Sequence, residues 1–234
     1  MSWRIGLLIP SSNTVMEVDF VRNLAHDTTV HTGRMYMVET TVAGEERMLD
    51  EFAMPAAEAV GTALPHVVVF GCTSAGALRG KQYDAELCKR IGSVTNAIPV
   101  SVIASVNQAL RDTRASRVAV ITPYVDELNQ RIKASVEAEG IEVTSMHGMG
   151  ITKNFDIAQV MPDEIVDFVR QRIGARVNAE ALFISCTNFN AMSALSALRM
   201  IYEVPMVTSN LAAIQAVKQH VSDFRQHALE VSTR

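Results

Sequence analysis

Two stretches decide how this chain is read: Val67-Val-Val-Phe-Gly-Cys72-Thr73-Ser74 and, 114 residues later, Ala181-Leu-Phe-Ile-Ser-Cys186-Thr187-Asn188. Each is a run of four apolar residues, a small residue, then Cys-Thr and a second polar side chain. An apolar run of that length bounded by small polar residues reads as a strand buried on both faces. Similar spacings recur elsewhere. Arg4-Ile-Gly-Leu-Leu-Ile-Pro10 is echoed 113 residues on by Arg117-Val-Ala-Val-Ile-Thr-Pro123, and Ile98-Pro99-Val100 is echoed 106 residues on by Val204-Pro205-Met206. Three landmarks in one order argue for an internal repeat, with an N-terminal α/β lobe over 1–113 and a C-terminal α/β lobe over 114–234.

Working outward from these runs, strands are expected at 4–9, 29–37, 66–71 and 99–103, then at 117–122, 141–146, 180–185 and 204–208. Longer amphipathic stretches lie between them. The helix from Tyr124 to Glu139 should stop at Gly140, and Pro162-Asp163-Glu164 opens another that should stop at Gly174. Strands alternating with helices predict an α/β fold of two similar, flavodoxin-like lobes, each a short parallel sheet flanked by helices, related by a pseudo-twofold axis. No Pro-, Gly- or Ser-rich linker separates them.

Composition removes other classes. The chain has 234 residues, 48% hydrophobic and 20% charged, so disorder is excluded. Its 21 basic side chains are outnumbered by 25 acidic ones, and no basic run exceeds two residues, which argues against nucleic acid as a partner. No apolar run approaches the roughly 20 residues of a membrane span. The N-terminus lacks the pattern of a signal peptide, so a cytoplasmic location is expected. Three cysteines make an odd, sparse set for disulfides.

In open α/β sheets the ligand crevice lies beyond the carboxyl ends of the strands. There the repeat places Pro10-Ser11-Ser12-Asn13-Thr14 and Pro123-Tyr124, and the two Cys-Thr segments, so that one thiol from each lobe faces a shared cleft. A lone free cysteine is most often a small buried filler, and Cys88, on a helical stretch beside Leu87 and Ile91, fits that description. Two cysteines at one position of a repeat, each followed by Thr, point instead to chemistry. A helix following each would lower its thiol pKa from about 8.5, so at least one is expected to titrate low. Thr73, Ser74, Thr187 and Asn188 supply hydroxyl and amide donors suited to a carboxylate. Arg34, Arg47 and Arg79 can reach a carboxylate or sit solvated. No metal-ligand spacing, dinucleotide or phosphate loop, or serine-nucleophile elbow is present, so neither cofactor nor metal is expected.

These segments resemble the aspartate/glutamate racemase superfamily, and within it the branch of maleate cis–trans isomerases and arylmalonate decarboxylases. The likeness spans nearly the whole chain. It implies that Asn13, with its neighbour Ser11, binds a substrate carboxylate, that Tyr124 hydrogen-bonds one, that Asn154 is a second amide donor, and that Cys72 and Cys186 are the catalytic pair. Arylmalonate decarboxylases carry Gly where this chain has Cys72. Maleate isomerases usually carry bulky apolar residues after the cysteines, where this chain has polar ones, as amino-acid racemases do.

The activity implied is cofactor-independent isomerisation of a small unsaturated dicarboxylate, maleate to fumarate in type. A two-cysteine racemase of amino or hydroxy acids is the alternative on the same residues. A decarboxylase or a non-catalytic carboxylate-binding protein stands behind it. A homo-oligomer is expected, since apolar helices such as 191–198 suit an interface as well as a core.

Overall fold

A computed structural model describes residues 2–232. The first lobe runs β1 (Trp3–Pro10), α1 (Met16–Asn23), β2 (Thr28–Met35) and α2 (Val42–Arg47), then through a π-helical turn at Met48–Phe52 into α3 (Ala53–Gly61). It continues with β3 (Val67–Phe70), α4 (Thr73–Leu78), α5 (Lys81–Thr95), β4 (Ile98–Ser101) and α6 (Val102–Asp112). The second runs β5 (Arg117–Thr122), α7 (Asp126–Glu137), β6 (Glu142–Gly148), α8 (Asn154–Gln159), α9 (Pro162–Ile173), β7 (Ala181–Ile184), α10 (Ala191–Ile201), β8 (Met206–Thr208) and α11 (Ser209–Ser232).

The repeat is written into the topology. One four-stranded parallel sheet has the order β2-β1-β3-β4 and the other β6-β5-β7-β8. The central runs are sealed on both faces: β3 and β7 are buried at every residue, as a parallel sheet covered by helices requires. Gly140 and Gly174 end their helices with φ near +79° and +78°, a region that favours glycine.

Several boundaries differ from the sequence reading by one to three residues, among them β2, which ends at Met35, β6, which runs on to Gly148, and β8, which starts at Met206; two others have a visible cause. The strand expected over 99–103 ends at Ser101, because the Ser101 hydroxyl accepts the Ala104 N–H and caps α6. The helix expected from Tyr124 begins at Asp126, since Tyr124 stays in the loop after β5. The C-terminal helix, second-lobe in sequence, crosses to pack against α1, α6, β3 and β4. Its Phe224 ring stacks on Trp3 of β1, centroids 5.4 Å apart. Among the described residues no helix is long and apolar enough to cross a membrane.

Candidate active site

The carboxyl ends of the inner strands converge on one buried polar cluster. Cys72 is the N-cap residue of α4, its sulfur 3.9 Å from the Ser74 hydroxyl. Cys186 follows β7 with φ of +102°, strained backbone for a residue with a Cβ. It is held there by its N–H donating to Ser209 Oγ at 3.0 Å and by its sulfur accepting the Asn188 N–H at 3.3 Å. Ser209 also accepts the Thr73 hydroxyl at 2.9 Å, so one side chain at the start of α11 ties the two Cys-Thr segments together. Burial first, and then the charges of both cysteines, push the Tyr124 hydroxyl well above its ordinary value. Cys72 and Cys186 are each 5% exposed and Tyr124 1%.

The other sequence candidates stitch the lobes around this centre. Asn13 accepts the Val15 and Met16 N–H groups through Oδ1, capping α1, and donates Nδ2 to Thr187 Oγ1 at 3.1 Å. Thr187 donates across the seam to the Gly71 carbonyl at 3.0 Å. Asn188 accepts the Thr14 N–H and donates to the Asn154 carbonyl. Asn154 accepts the Thr40 hydroxyl and donates to Ser12 at 2.9 Å. The segment after β2 crosses with it: Thr40 N–H reaches the Thr152 carbonyl at 2.6 Å, and Asn154 N–H reaches Val38 at 2.9 Å. Ser11 is the outlying candidate, half-buried, its hydroxyl exchanging hydrogen bonds with the Met37 backbone. The three arginines are engaged in ion pairs, and Arg34 also donates to the Ser11 and Asn13 carbonyls at 3.1 and 2.8 Å. Arg34 pairs with Glu17 and Arg47 with Glu51, while Arg79 grips Asp50.

The thiols correct one expectation. Neither titrates low: burial pushes Cys72 well above the ordinary thiol value, reinforced by the negative charge of Glu45 and opposed by the Ala75 N–H. Burial likewise pushes Cys186 up to about 12, against the pull of Tyr124 and the Asn188 N–H. The helix-end argument falls short for two physical reasons. Desolvation of a fully enclosed thiolate outweighs one short helix, and α10 starts only at Ala191, because residues 187–190 turn away to bridge the lobes.

Two site residues were not found in the sequence reading. Ser209 follows directly on β8, where the strand-end rule points. Glu45, on α2, is 0% exposed and bonds the Ser74 hydroxyl. Burial raises its carboxyl to about 8. Cys88 packs in the core on α5, and among the described residues no group of three or more His, Cys, Asp or Glu is placed to hold a metal ion.

Tyr124 is braced from behind. Its carbonyl takes the Gly150 N–H at 3.2 Å, and its N–H donates to Thr122 Oγ1. Gly148 lies so close that a Cβ there would sit 2.3 Å from the Tyr124 carbonyl oxygen and 2.4 Å from Asn129 Nδ2. Gly148→Ala should therefore shift the tyrosine and cost about 1–3 kcal/mol, a melting-temperature loss of roughly 2–10 °C by calorimetry. An unchanged transition would show that the loop yields without strain.

Thiols at the ends of matched strands, in two parallel sheets of one strand order, are the arrangement that the resemblance to the aspartate/glutamate racemase superfamily implies. The family model for arylmalonate decarboxylase matches residues 5–229, and the chain belongs to that family. It is 25% identical over 229 residues to the maleate isomerase of Geobacillus stearothermophilus, covering 92% of this chain and 90% of that one. Its fold is that of the maleate isomerase Iso of Pseudomonas putida, with a TM-score of 0.86, 23% identity and coverage of 95% and 94%. A mutant of the Nocardia farcinica maleate cis–trans isomerase, seen with a covalently bound succinylcysteine intermediate, superposes with a TM-score of 0.83 at 20% identity, covering 95% and 94%.

Proposed function

We propose that this protein is a cofactor-independent cis–trans isomerase of a small unsaturated dicarboxylate, maleate in type, working through Cys72 and Cys186. The observation that carries the reading is the thiol pair itself, one after each matched strand, with the two Cys-Thr segments tied together through the Ser209 hydroxyl. A binding protein gains nothing from two enclosed thiols placed by a repeat.

The chemistry follows from the two positions. The Cys72 thiolate adds to one alkene carbon, forming a C–S bond, and the π electron pair moves to the other carbon in conjugation with its carboxylate. Cys186 donates its S–H proton to that carbon, and its high pKa keeps it in the protonated form an acid needs. The former double bond is now single and rotates. Cys186 takes the proton back, the C–S bond breaks, and the trans isomer leaves with Cys72 as thiolate again. The Cys72 thiolate is a minor species in the closed protein: its proton goes to solvent before addition, and addition draws the thiolate forward. Asn13, Thr73, Ser74, Tyr124, Asn154, Thr187 and Asn188 hold the carboxylates and the enolate-like charge through amide and hydroxyl donors. Because these groups are buried, substrate entry requires their cover to open.

Incubating the purified protein with maleate and following fumarate by proton NMR tests this. Conversion without added cofactor is the expected result. No conversion, together with deuterium uptake from heavy water at the α-carbon of an amino or hydroxy acid, would replace the isomerase with a two-base racemase.

A further inference from the structure

A site for dicarboxylates built by this fold contains an acid. Glu45 is fully enclosed, and among the described residues the buried polar ones include no Lys, Arg or His to neutralise it. Its place is set by the backbone: the Thr41 hydroxyl caps α2 through the Gly44 N–H at 3.1 Å, and Gly44 lies so close that a Cβ would come within 2.3 Å of the Glu39 carbonyl oxygen. The side chain turns inward, where Oε1 takes the Ser74 hydroxyl and Oε2 has no partner among the described residues. The Ser74 hydroxyl that bonds the carboxyl lies 3.9 Å from the Cys72 sulfur, so one hydroxyl links Glu45 to the first thiol. An unpartnered buried oxygen is expensive unless it meets a ligand group.

An ionised carboxylate there would repel a substrate dianion and the Cys72 thiolate alike. A neutral carboxylic acid does the reverse, presenting an O–H donor more acidic than any amide or alcohol in the cluster. We propose that Glu45 is a further substrate-binding residue: in its protonated form it donates the Oε2 hydrogen to a substrate carboxylate, and loss of that proton closes the site to dianions. This rests on the dicarboxylate reading above. The carboxyl loses its proton near pH 8 in the free protein. The groups facing it titrate later: Cys72 from the N-terminus of α4 and Tyr124 from the loop after β5 are both raised well above their ordinary values, and Cys186 from the loop after β7 is pushed to about 12. On its own helix, Arg47 is turned away onto Glu51 and the Tyr36 and Phe52 rings.

Succinate, saturated and unreactive, is the probe, and calorimetric titration between pH 6.5 and 9.5 is the measurement. Wild-type affinity should hold to about pH 8 and then fall roughly tenfold per pH unit. Glu45→Gln keeps a donor that does not ionise, so it should bind several-fold more weakly at pH 7, show no fall, and overtake the wild type by pH 9.5. Glu45→Leu should bind at least tenfold more weakly at pH 7 and be equally flat. A flat wild-type profile overturns the role of Glu45 without needing any variant to fold, and so does Glu45→Gln falling in parallel with wild type or Glu45→Leu binding as tightly. Absence of succinate binding by wild type at every pH overturns the dicarboxylate reading itself.

Discussion

Replacing Cys72 with serine is expected to lower maleate turnover by about 10⁴-fold or more, the scale seen when a covalent nucleophile is removed. The hydroxyl is nearly the size of the thiol but is a far weaker nucleophile in a pocket that disfavours even the thiolate. The fold should survive, since the Cys72 backbone is set by β3 and α4 rather than by its sulfur. Cys186→Ser separates the two roles. With that thiol gone, water supplies the proton to the carbanion but no competent base is placed to retrieve it, so the adduct on Cys72 should persist, visible by intact mass as one added substrate and mapped by peptide digestion. Turnover retained in Cys72→Ser, or an adduct on Cys186 in the wild type, would reverse the assignment of nucleophile and acid.

Much of this architecture was legible because parallel strands announce themselves as apolar runs. Val67–Phe70 and Ala181–Ile184 are buried at every residue, and their cysteines were found by position in the repeat. Helix ends were legible where only glycine tolerates the backbone, at Gly140 and Gly174. What escaped is what tertiary packing decides. Glu45 sits in Gly44-Glu45-Glu46-Arg47, which reads as a solvated face, and only the rotation of α2 about its capped start says which acid turns inward. The low thiol pKa expected from helix ends failed for the same kind of reason, because the depth of burial is a property of both lobes together. The crossing of α11 onto the first lobe leaves no local mark, although Ser209, which it delivers to the site, stands in plain view after β8.

The buried acid also predicts a large effect on stability. Its carboxyl rises from 4.5 in the open chain to about 8 in the fold, so the folded protein holds this proton more tightly. Stability from this group is therefore complete below pH 4.5, drains away as the pH climbs, and is fully lost above about 8. At roughly 1.4 kcal/mol per unit, the loss across that window is on the order of 5 kcal/mol. Asp84, raised to about 6 by burial, and Asp19, raised in the same direction, add to the fall in wild type but are untouched by a change at Glu45. The difference between wild type and Glu45→Gln isolates the one group. The glutamine amide still accepts the Ser74 hydroxyl and has no proton to lose. At pH 5 the two proteins should melt within a few degrees of each other, and at pH 9 the variant should melt higher by about 10 °C for a chain of this size. Parallel melting curves across the range would mean that Glu45 ionises in the fold as it does in water, and that the enclosed carboxyl is reached by solvent.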